Sequence, residues 1–419
     1  MQLLFVTGGA PLEGTVPIHG AKNSVLPILA ASLLCGAPCT LQNCPDISDV
    51  RAAAEILRTL GCGVSRAGSA LTIDAGNASG PEISERLAGK MRSSILFLGA
   101  FLARFGNARL HFPGGCPLGN RPIDLHLSAL RQMGAEFAVE GGEIRCRAER
   151  LRGAHIRLPY PSVGATENVL LAAVGCEGTV ILENAAREPE IGDLAGFLVR
   201  AGAKIRARGP GCWEIKGGAP LHGAVYAVLP DRIETATYLS AAAACGGDVT
   251  LEHARPDDLL PVLDVLTRAG CRITRAPGRV RLVSDGRLRS PGFLRTGPYP
   301  GFPTDAQAPL MAALLRAEGE TVFDETVFED RFRHALQLQK LGASIRLDGT
   351  RAAVRGVPAL FGARLQAEDL RGGAALVLAA LQAEGSSVIA GVGHIRRGYD
   401  HLEENLQKIG ARIKCVEFS

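Results

Sequence analysis

A short phrase, an apolar residue followed by glycine and a small residue, recurs six times along the chain at nearly even intervals. Its glycines are Gly61, Gly134, Gly202, Gly270, Gly342 and Gly410, which are 68 to 73 residues apart. A unit of roughly 70 residues is longer than the units of most solenoids. The chain is therefore predicted to consist of six copies of one unit. Features shared by all copies indicate structure, and a feature of one copy alone indicates chemistry.

Each copy is predicted to contain an apolar helix, a short strand, a second helix that ends at the repeat glycine, and a hairpin. In the third copy these elements are 166–174, 179–183, 190–200 and two strands around Gly209. Helices commonly end in a residue with left-handed backbone, which glycine adopts without steric cost. The repeat glycine therefore marks the point where a helix turns into a strand.

The length of 419 residues favours two domains, and the repeat count then gives each domain three copies. Only nine residues follow Gly410, too few to finish the sixth copy, whereas 21 residues precede the first helix at Lys22. The first strand is therefore predicted to complete the sixth copy. The predicted domains are 22–229 on one side, and 1–21 with 230–419 on the other. Two crossings, at 20–21 and 229–230, would suit closure over a ligand bound between the domains.

Composition excludes several classes of protein. The 46 basic and 42 acidic residues give a net charge of +4, too small for a dedicated nucleic-acid binder but compatible with local arginine clusters. Eleven cysteines without a Cys-x-x-Cys pair argue against zinc and favour a reducing compartment. The N-terminal stretch is typical of a strand and not of a signal peptide, and no apolar run is long enough to span a bilayer. The expected protein is soluble and cytoplasmic, without nucleic-acid partners or membrane insertion.

Cations are concentrated where helices are predicted to begin. A helix N-terminus presents unpaired N–H groups and favours anions, and an arginine there can clamp phosphate or carboxylate with two parallel bonds. Several such cations around one cleft predict a polyanionic ligand. The residues in question are Lys22, Arg121, Arg331, Arg371 and Arg397.

The second copy alone contains an insertion, 112–122, with glycines and prolines around Cys116. Packing does not require this composition, which predicts a mobile loop that exposes the thiol. An ordinary thiol pKa of about 8.5 leaves Cys116 mostly protonated at neutral pH, so it could donate a proton. Neighbouring arginines would instead favour the thiolate and covalent chemistry. Both roles remain open.

Six motifs together resemble those of the UDP-N-acetylglucosamine 1-carboxyvinyltransferases, which are enolpyruvyl transferases. The resemblance extends from end to end of the chain. It implies an α/β fold of two domains, each with three βαβαββ units, described as an inverse α/β barrel. The motifs are Gly20-Ala21-Lys22-Asn23, Gly114-Gly115-Cys116 with Arg121-Pro122, Ser162-Val163-Gly164-Ala165-Thr166, the segment 229–235, the segment 301–305, and Arg396-Arg397-Gly398-Tyr399.

The resemblance implies transfer of the enolpyruvyl group of phosphoenolpyruvate to the 3-hydroxyl of UDP-N-acetylglucosamine, with release of phosphate. This is the first committed step of peptidoglycan synthesis, on which cell-wall formation and division depend. Asp305 would take the proton from the hydroxyl, and Cys116 would deliver one to the methylene carbon. Such chemistry requires no metal or organic cofactor. Cys116 would also be the site of the phosphoenolpyruvate adduct and of alkylation by fosfomycin.

The resemblance also implies which residues hold the two substrates. The catalytic residues that it implies are Cys116, Asp305, Lys22 and Arg397. The residues expected on phosphoenolpyruvate are Lys22, Asn23, Arg121 and Arg397, with Arg331 and Arg371 helping to neutralise its charge. Those expected on the UDP-sugar are Arg92, Arg121, Pro122, Ile123, Asp124, Leu125, Ser162, Val163, Gly164, Asp305 and Val327.

Two departures and three alternatives accompany this interpretation. Tyr160 stands where many relatives have lysine, so the uridine pocket is expected to differ in charge and stacking, and Pro117 is expected to stiffen the loop.

A 5-enolpyruvylshikimate-3-phosphate synthase is disfavoured by the cysteine loop and by Ala21-Lys22-Asn23 in place of a Ser-Lys-Ser pattern. An RNA 3′-terminal phosphate cyclase is disfavoured by the near-neutral charge. A silent UDP-sugar sensor remains open, although the intact catalytic residues count against it.

Overall fold

The computed structural model describes residues 2–115, 119 and 122–418. Residues 1, 116–118, 120–121 and 419 lie outside the described part. Contacts divide the described residues into two compact units. The continuous unit comprises 20–115 and 122–229, and the split unit comprises 2–19, 119 and 230–418. We propose that these units correspond to the domains inferred from the repeats, 22–229 and 1–21 with 230–419.

The strands are short, and most lie in hairpins or beside a helix. They are β1 Gln2–Thr7, β2 Leu12–Pro17, β3 Cys39–Gln42, β4 Gly63–Ala67, β5 Ala70–Asp74, β6 Glu82–Ile83, β7 Asn107–His111, β8 Glu136–Glu140, β9 Glu143–Arg147, β10 His155–Arg157, β11 Thr179–Glu183, β12 Lys204–Gly209, β13 Cys212–Lys216, β14 Val225–Ala227, β15 Gly247–Glu252, β16 Arg272–Ala276, β17 Arg279–Ser284, β18 Phe293–Arg295, β19 Glu320–Asp324, β20 Ser344–Asp348, β21 Arg351–Arg355, β22 Arg364–Gln366, β23 Ser386–Ala390 and β24 Arg412–Glu417.

Each repeat contains a buried helix and, after it, a more exposed one, and the short helices α3 and α13 are additional. They are α1 Lys22–Ser32, α2 Ser48–Thr59, α3 Glu85–Ala88, α4 Phe97–Phe105, α5 Asp124–Gln132, α6 Val163–Ala173, α7 Pro189–Arg200, α8 Arg232–Cys245, α9 Leu260–Arg268, α10 Thr304–Ala313, α11 Arg333–Gln339, α12 Leu370–Gln382, α13 Val392–Ile395 and α14 Leu402–Lys408. Three short 3₁₀ helices cover Arg92–Leu96, Pro256–Leu259 and Leu314–Arg316.

Within the described residues the strands form six sheets of four strands each. Every sheet has one parallel edge strand and, on its other side, an antiparallel pair, which is a hairpin in five sheets and is formed by β1 and β24 in the sixth. In the third sheet β10 runs parallel to β11, and β11 pairs antiparallel with β13, which pairs with β12. The predicted α/β fold of six βαβαββ repeats is confirmed by this plan and by the repeat glycines, whose φ angles lie between 85° and 110°.

The first two strands belong to different sheets of the split unit. β1 lies between β23 and β24, where Leu4 is opposite Ile389 on one side and Cys415 on the other. β2 instead pairs in parallel with β15 of the fourth repeat. In the continuous unit β14 occupies the corresponding place beside β3 of the first repeat. The sequence predicted the sheet of β1, but the place of β2 depends on tertiary pairing that no local pattern indicates.

Each unit is built around three apolar helices, α1, α4 and α6 in one and α8, α10 and α12 in the other. Most residues of these helices are buried because the helices are surrounded by protein, whereas a surface helix keeps an exposed polar face. The first turns of α1 and α12 carry the predicted cations Lys22 and Arg371, whereas Arg331 precedes α11 and Arg397 follows α13. The structure starts α6 at Val163 and not at Thr166, because Ser162 accepts a hydrogen bond from Ala165 N and caps the helix. Among the described residues no helix has the length and apolarity needed to cross a membrane.

Candidate functional site

The first turn of α10 in the split unit carries Asp305 between two arginines. Its Oδ1 accepts from Arg331 Nη2 at 3.1 Å, and its Oδ2 accepts from Arg371 Nη2 at 3.2 Å. The two arginine side chains are only 2% and 3% exposed, whereas the Asp305 side chain is 27% exposed. Charge-assisted bonds of this kind are short and directional. The carboxylate is therefore fixed by two buried guanidinium groups and still reaches the surface of the unit.

Arg371 is held in place from several sides. Its backbone N–H donates to the N-cap carboxylate of Asp369 at 3.0 Å, and its guanidinium lies 5.2 Å from the ring centre of Tyr399. Burial lowers the pKa of Arg371, but Tyr399 and Asp305 raise it, and the net pKa is above the ordinary arginine value. Arg371 therefore remains a cation although it is buried.

Some arginine N–H groups beside Asp305 are buried without a hydrogen-bond partner in the described part of the chain. They are Nε and Nη1 of Arg371 and Nε of Arg331. Buried donors are nearly always paired, and an orphaned one costs about 1–3 kcal/mol. An anionic oxygen would satisfy them.

Arg397 lies close in sequence to this group and is half-buried. It is two residues before Tyr399. The Tyr399 ring packs on Arg371, and its hydroxyl is 2.8 Å from Thr237 Oγ1.

A buried glutamate fixes Val327 relative to the start of α10. Glu325 accepts from Val327 N at 2.8 Å and Phe328 N at 3.2 Å through one oxygen, and from Thr304 Oγ1 at 2.9 Å through the other. Arg331 also donates to Thr304 O at 2.9 Å. The turn that carries Val327 and the helix start that carries Asp305 are thus parts of one hydrogen-bonded assembly.

His334, buried in α11, lies near both Arg331 and Asp369. Neither ring nitrogen has a hydrogen-bond partner among the described residues. Burial lowers the pKa of His334 to about 4, with Asp369 acting in the opposite direction and the Arg331 charge adding to the decrease. The imidazole is therefore neutral at physiological pH and adds no charge to the arginine pair.

This neutral histidine predicts acid sensitivity. The unfolded chain binds a proton on His334 below a pKa of 6.5, whereas the folded chain does so only near 4, so stability is lost as pH falls through this window. From pH 7.5 to 5 the loss due to this residue is about 2 kcal/mol. Chemical unfolding of the split unit should show a smaller acid effect in His334→Gln than in the wild type. The exposed His155→Gln is the control, and an equal acid effect in all three proteins would contradict the assignment.

In the continuous unit the start of α1 carries Lys22 and Asn23. The Lys22 ammonium is 2.8 Å from Asp49 Oδ2, and both side chains are largely buried. Two residues further along the helix, Ser24 Oγ donates to Asp193 of α7. An ion pair with a buried carboxylate limits the positions of the lysine head group. Lys22 is consequently held at the helix start.

Asp193 also anchors the end of the continuous unit. It accepts from Tyr226 Oη at 2.7 Å and from Leu229 N at 3.2 Å. Together with the Ser24 bond, these contacts tie the start of α1 to the last residues of the unit. Asp193 is 9% exposed, so its carboxylate is satisfied almost entirely by protein groups.

The start of the cysteine loop lies against the 3₁₀ helix that begins at Arg92. Arg92 Nη1 donates to Pro113 O at 3.4 Å, and Gly114 N donates to Ala88 O at 3.0 Å. A Cβ on Gly114 would lie 2.0 Å from Gly89 O, so only glycine allows this approach. Cys116 and Arg121 are outside the described residues, and their roles stay predictions.

Two other helix starts of the continuous unit carry the remaining predicted contacts to the UDP-sugar. The stretch Pro122, Ile123, Asp124 and Leu125 leads into α5, which begins at Asp124. Ser162, Val163 and Gly164 form the cap and first turn of α6. The structure therefore places Lys22, Asn23, Arg92, 122–125 and 162–164 in one unit, and Asp305, Val327, Arg331, Arg371 and Arg397 in the other.

Comparisons with known proteins identify the family. The family model for EPSP synthase (3-phosphoshikimate 1-carboxyvinyltransferase) matches residues 6–406. The chain is 44% identical over 408 residues to UDP-N-acetylglucosamine 1-carboxyvinyltransferase 2 of Caldanaerobacter subterraneus, covering 97% of this chain and 98% of that protein. It is 45% identical over 415 residues to the UDP-N-acetylglucosamine 1-carboxyvinyltransferase of Desulfovibrio desulfuricans, covering 99% of both.

The chain belongs to the enolpyruvyl transferase family. Solved structures of the family agree with this fold. The enolpyruvyl transferase NikO from Streptomyces tendae superposes with a TM-score of 0.89 at 30% identity, over 99% of this chain and 98% of that one. An EPSP synthase from Acinetobacter baumannii gives a TM-score of 0.76 at 19% identity over both whole chains, which shows the shared fold.

Several residues that organise this transferase's helix starts were not singled out from the sequence. They are Asp193, Glu325, His334, Asn168 and His126. All five are buried polar residues, which must find a partner, and a polar residue within an otherwise apolar segment is the sequence signal for such a residue. Asn168 within Val163–Ala173 shows this signal most clearly.

Proposed function

We propose that the protein transfers the enolpyruvyl group of phosphoenolpyruvate to the 3-hydroxyl of UDP-N-acetylglucosamine and releases phosphate, as a step of peptidoglycan synthesis. The names of relatives that cover almost the whole chain at 44–45% identity support this substrate pair. The structural observation that carries the proposal is Asp305 between two buried arginines that have unused N–H groups. This arrangement combines a base with donors for an anionic substrate.

The reaction proceeds by addition followed by elimination. Asp305 accepts the proton of the sugar hydroxyl while the oxygen bonds to the central carbon of phosphoenolpyruvate, and Cys116 protonates the methylene carbon. A tetrahedral intermediate results. Loss of phosphate, with removal of a proton from the new methyl group, then restores the double bond. Cations that hold the phosphate stabilise the charge that develops on it as its bond breaks.

The residues assigned to the two substrates in this proposal belong to both units. Arg331, Arg371 and Arg397 of the split unit, with Lys22 and Arg121, would hold the phosphate and carboxylate of phosphoenolpyruvate. The helix starts of the continuous unit, at Arg92, 122–125 and 162–164, would hold the UDP-sugar, with Val327 as a further contact. N–H groups at these helix starts suit a diphosphate.

The decisive assay measures phosphate released from phosphoenolpyruvate by the purified protein. Release with UDP-N-acetylglucosamine and none with shikimate 3-phosphate is the expected result. The reverse preference would assign the chain to EPSP synthase activity, which the name of the family model leaves as the second candidate. No release with either substrate would favour a UDP-sugar sensor, which isothermal titration with UDP-N-acetylglucosamine would detect.

The role of Cys116 is tested by two substitutions. If the thiol serves as a proton donor, Cys116→Asp keeps turnover and resists alkylation by fosfomycin, whereas Cys116→Ala loses turnover. An aspartic acid can donate a proton but cannot form the thioether. Loss of turnover in both variants would instead indicate an obligatory covalent thiol. Steady-state rates with and without preincubation in fosfomycin provide the measurement.

A cytoplasmic location is part of the proposal. The described cysteines, ten in number, form no disulfide bonds, which suits a reducing compartment.

A further inference from the structure

One buried amide joins the helix starts that the proposed function assigns to the UDP-sugar. Asn168 lies in the second turn of α6 and has no solvent exposure. We propose that Asn168 is a positioning residue that sets the relative places of Arg92, 122–125 and 162–164, and thereby the affinity for the nucleotide sugar. This inference rests on the proposed function for the identity of the ligand.

Every polar atom of the Asn168 side chain is used. Its Oδ1 accepts from Gly99 N at 2.7 Å, and its Nδ2 donates to Ile95 O at 3.1 Å and to His126 Nδ1 at 2.7 Å. The Gly99 N–H requires an oxygen and the Ile95 carbonyl requires an N–H, so the network fixes the orientation of the amide. Because the amide nitrogen can only donate, Nδ1 of His126 is the acceptor.

The three partners lie on three different segments. Ile95 belongs to the 3₁₀ helix that begins at Arg92, and Gly99 lies in the first turn of α4 that follows it. His126 lies in the first turn of α5, directly after 122–125. Asn168 itself is one turn beyond Gly164. A single side chain thus connects all the helix starts of the continuous unit that are assigned to the UDP-sugar.

The backbones around this amide leave little space for adjustment. A Cβ on Gly99 would lie 2.4 Å from Asn168 O, and a Cβ on Gly164 would lie 2.8 Å from His126 Cε1. The helices therefore already touch and cannot move closer to compensate for a lost bond. Removal of the amide would leave the Gly99 N–H and the Ile95 carbonyl buried and unpaired, which favours displacement of these segments.

If Asn168 had only a structural role, its loss would lower stability without changing the KM for the sugar nucleotide. A control variant elsewhere in the chain distinguishes this role from positioning. Gln382 is a buried amide in α12 of the split unit. Its Nε2 donates to Ala312 O at 2.9 Å and to Leu378 O at 3.1 Å, so it also joins two central helices. Gln382 is the last residue of α12, whereas Arg371 lies in the first turn, so the length of the helix separates them. Gln382→Met therefore removes a buried amide that joins two central helices without touching a helix start, although the Gln382 Oε1 has no hydrogen-bond partner in the described part of the chain.

The test compares Asn168→Leu with Gln382→Met in the phosphate-release assay and in thermal unfolding. Both variants are expected to lower the melting temperature. Only Asn168→Leu is expected to raise the KM for UDP-N-acetylglucosamine, by about tenfold, because the helix starts assigned to this ligand lose the hydrogen bonds that join them. The KM for phosphoenolpyruvate should stay within about twofold. A lowered melting temperature with an unchanged KM for the sugar nucleotide would overturn the proposal.

Two further variants keep the proposal testable if Asn168→Leu does not fold. Asn168→Asp retains the shape and the acceptor for Gly99 N but loses both donors, and the same rise in KM is expected. His126→Ala removes one link, and its effect on KM should not add to that of Asn168→Asp, because both act through one network. Additive effects would contradict a shared network. Failure of the proposed function would show differently, as no turnover of UDP-N-acetylglucosamine by the wild type.

Discussion

Asp305→Asn is expected to reduce kcat by about a thousandfold, within the range of about 10²–10⁴ typical of a general base. The amide preserves the shape of the side chain but cannot accept the proton of the sugar hydroxyl. It also removes a negative charge from between Arg331 and Arg371, to which the carboxylate is bonded at 3.1 and 3.2 Å. The KM for phosphoenolpyruvate should therefore remain constant or fall, because the anion no longer competes with Asp305 for the two guanidinium groups.

The same unit offers a close control. Asp324 at the end of β19 also bonds two arginines, Arg295 at 2.7 Å and Arg351 at 3.1 Å, but these are 60% and 58% exposed. Exposed pairs contribute only about 0–1 kcal/mol. Asp324→Asn should therefore leave kcat and both KM values nearly unchanged. A loss of kcat smaller than tenfold in Asp305→Asn, or an equal loss in both variants, would exclude Asp305 as the base.

Arg371→Lys is expected to raise the KM for phosphoenolpyruvate by about 10- to 100-fold, since a hydrogen bond to a charged group accounts for about 1.5–3 kcal/mol. Lysine retains the positive charge but replaces the planar fork by a point charge. The buried Nε and Nη1 donors, which have no partner among the described residues, are lost with the guanidinium. The KM for UDP-N-acetylglucosamine should change little.

Arg351→Lys is the matched control, because Arg351 also bonds an aspartate but lies in the exposed pair with Asp324. It should leave both KM values unaltered. Titration calorimetry with phosphoenolpyruvate separates a binding effect of Arg371→Lys from an effect on turnover. An unchanged affinity for phosphoenolpyruvate in this variant would remove Arg371 from the proposed clamp.

The sequence allowed the fold to be predicted because its signals are local. The repeat glycines mark helix ends that need positive φ, and glycine adopts such angles at no steric cost. Helix starts can likewise be recognised from a capping residue and a change to apolar periodicity. The placing of Asp305 beside a helix start therefore followed from sequence, but its two arginine partners come from segments 26 and 66 residues away.

The contacts that support the helix starts could not be predicted either, because they also join residues that are far apart in sequence. Glu325 is an acidic residue after a strand, and only the folded chain shows that its oxygens satisfy the backbone of Val327 and the hydroxyl of Thr304. Asn168 and Asp193 likewise bond partners 69 and 36 residues away. Polar residues in apolar segments indicate that a partner exists, but the partner's identity depends on tertiary packing.

The place of β1 has a consequence for the order in which the protein folds during synthesis. Thr7 and its partner Ser386 are 379 residues apart, so at about 5–20 residues per second β1 waits roughly 20–80 s for β23. The continuous unit is complete in sequence well before that time. Throughout the wait the apolar residues Leu3, Leu4, Phe5 and Val6 lack both of the strands that pair with them, and an unpaired apolar segment of this kind favours aggregation or chaperone binding. The residues of β1 are thus translated long before the strands β23 and β24 with which they pair.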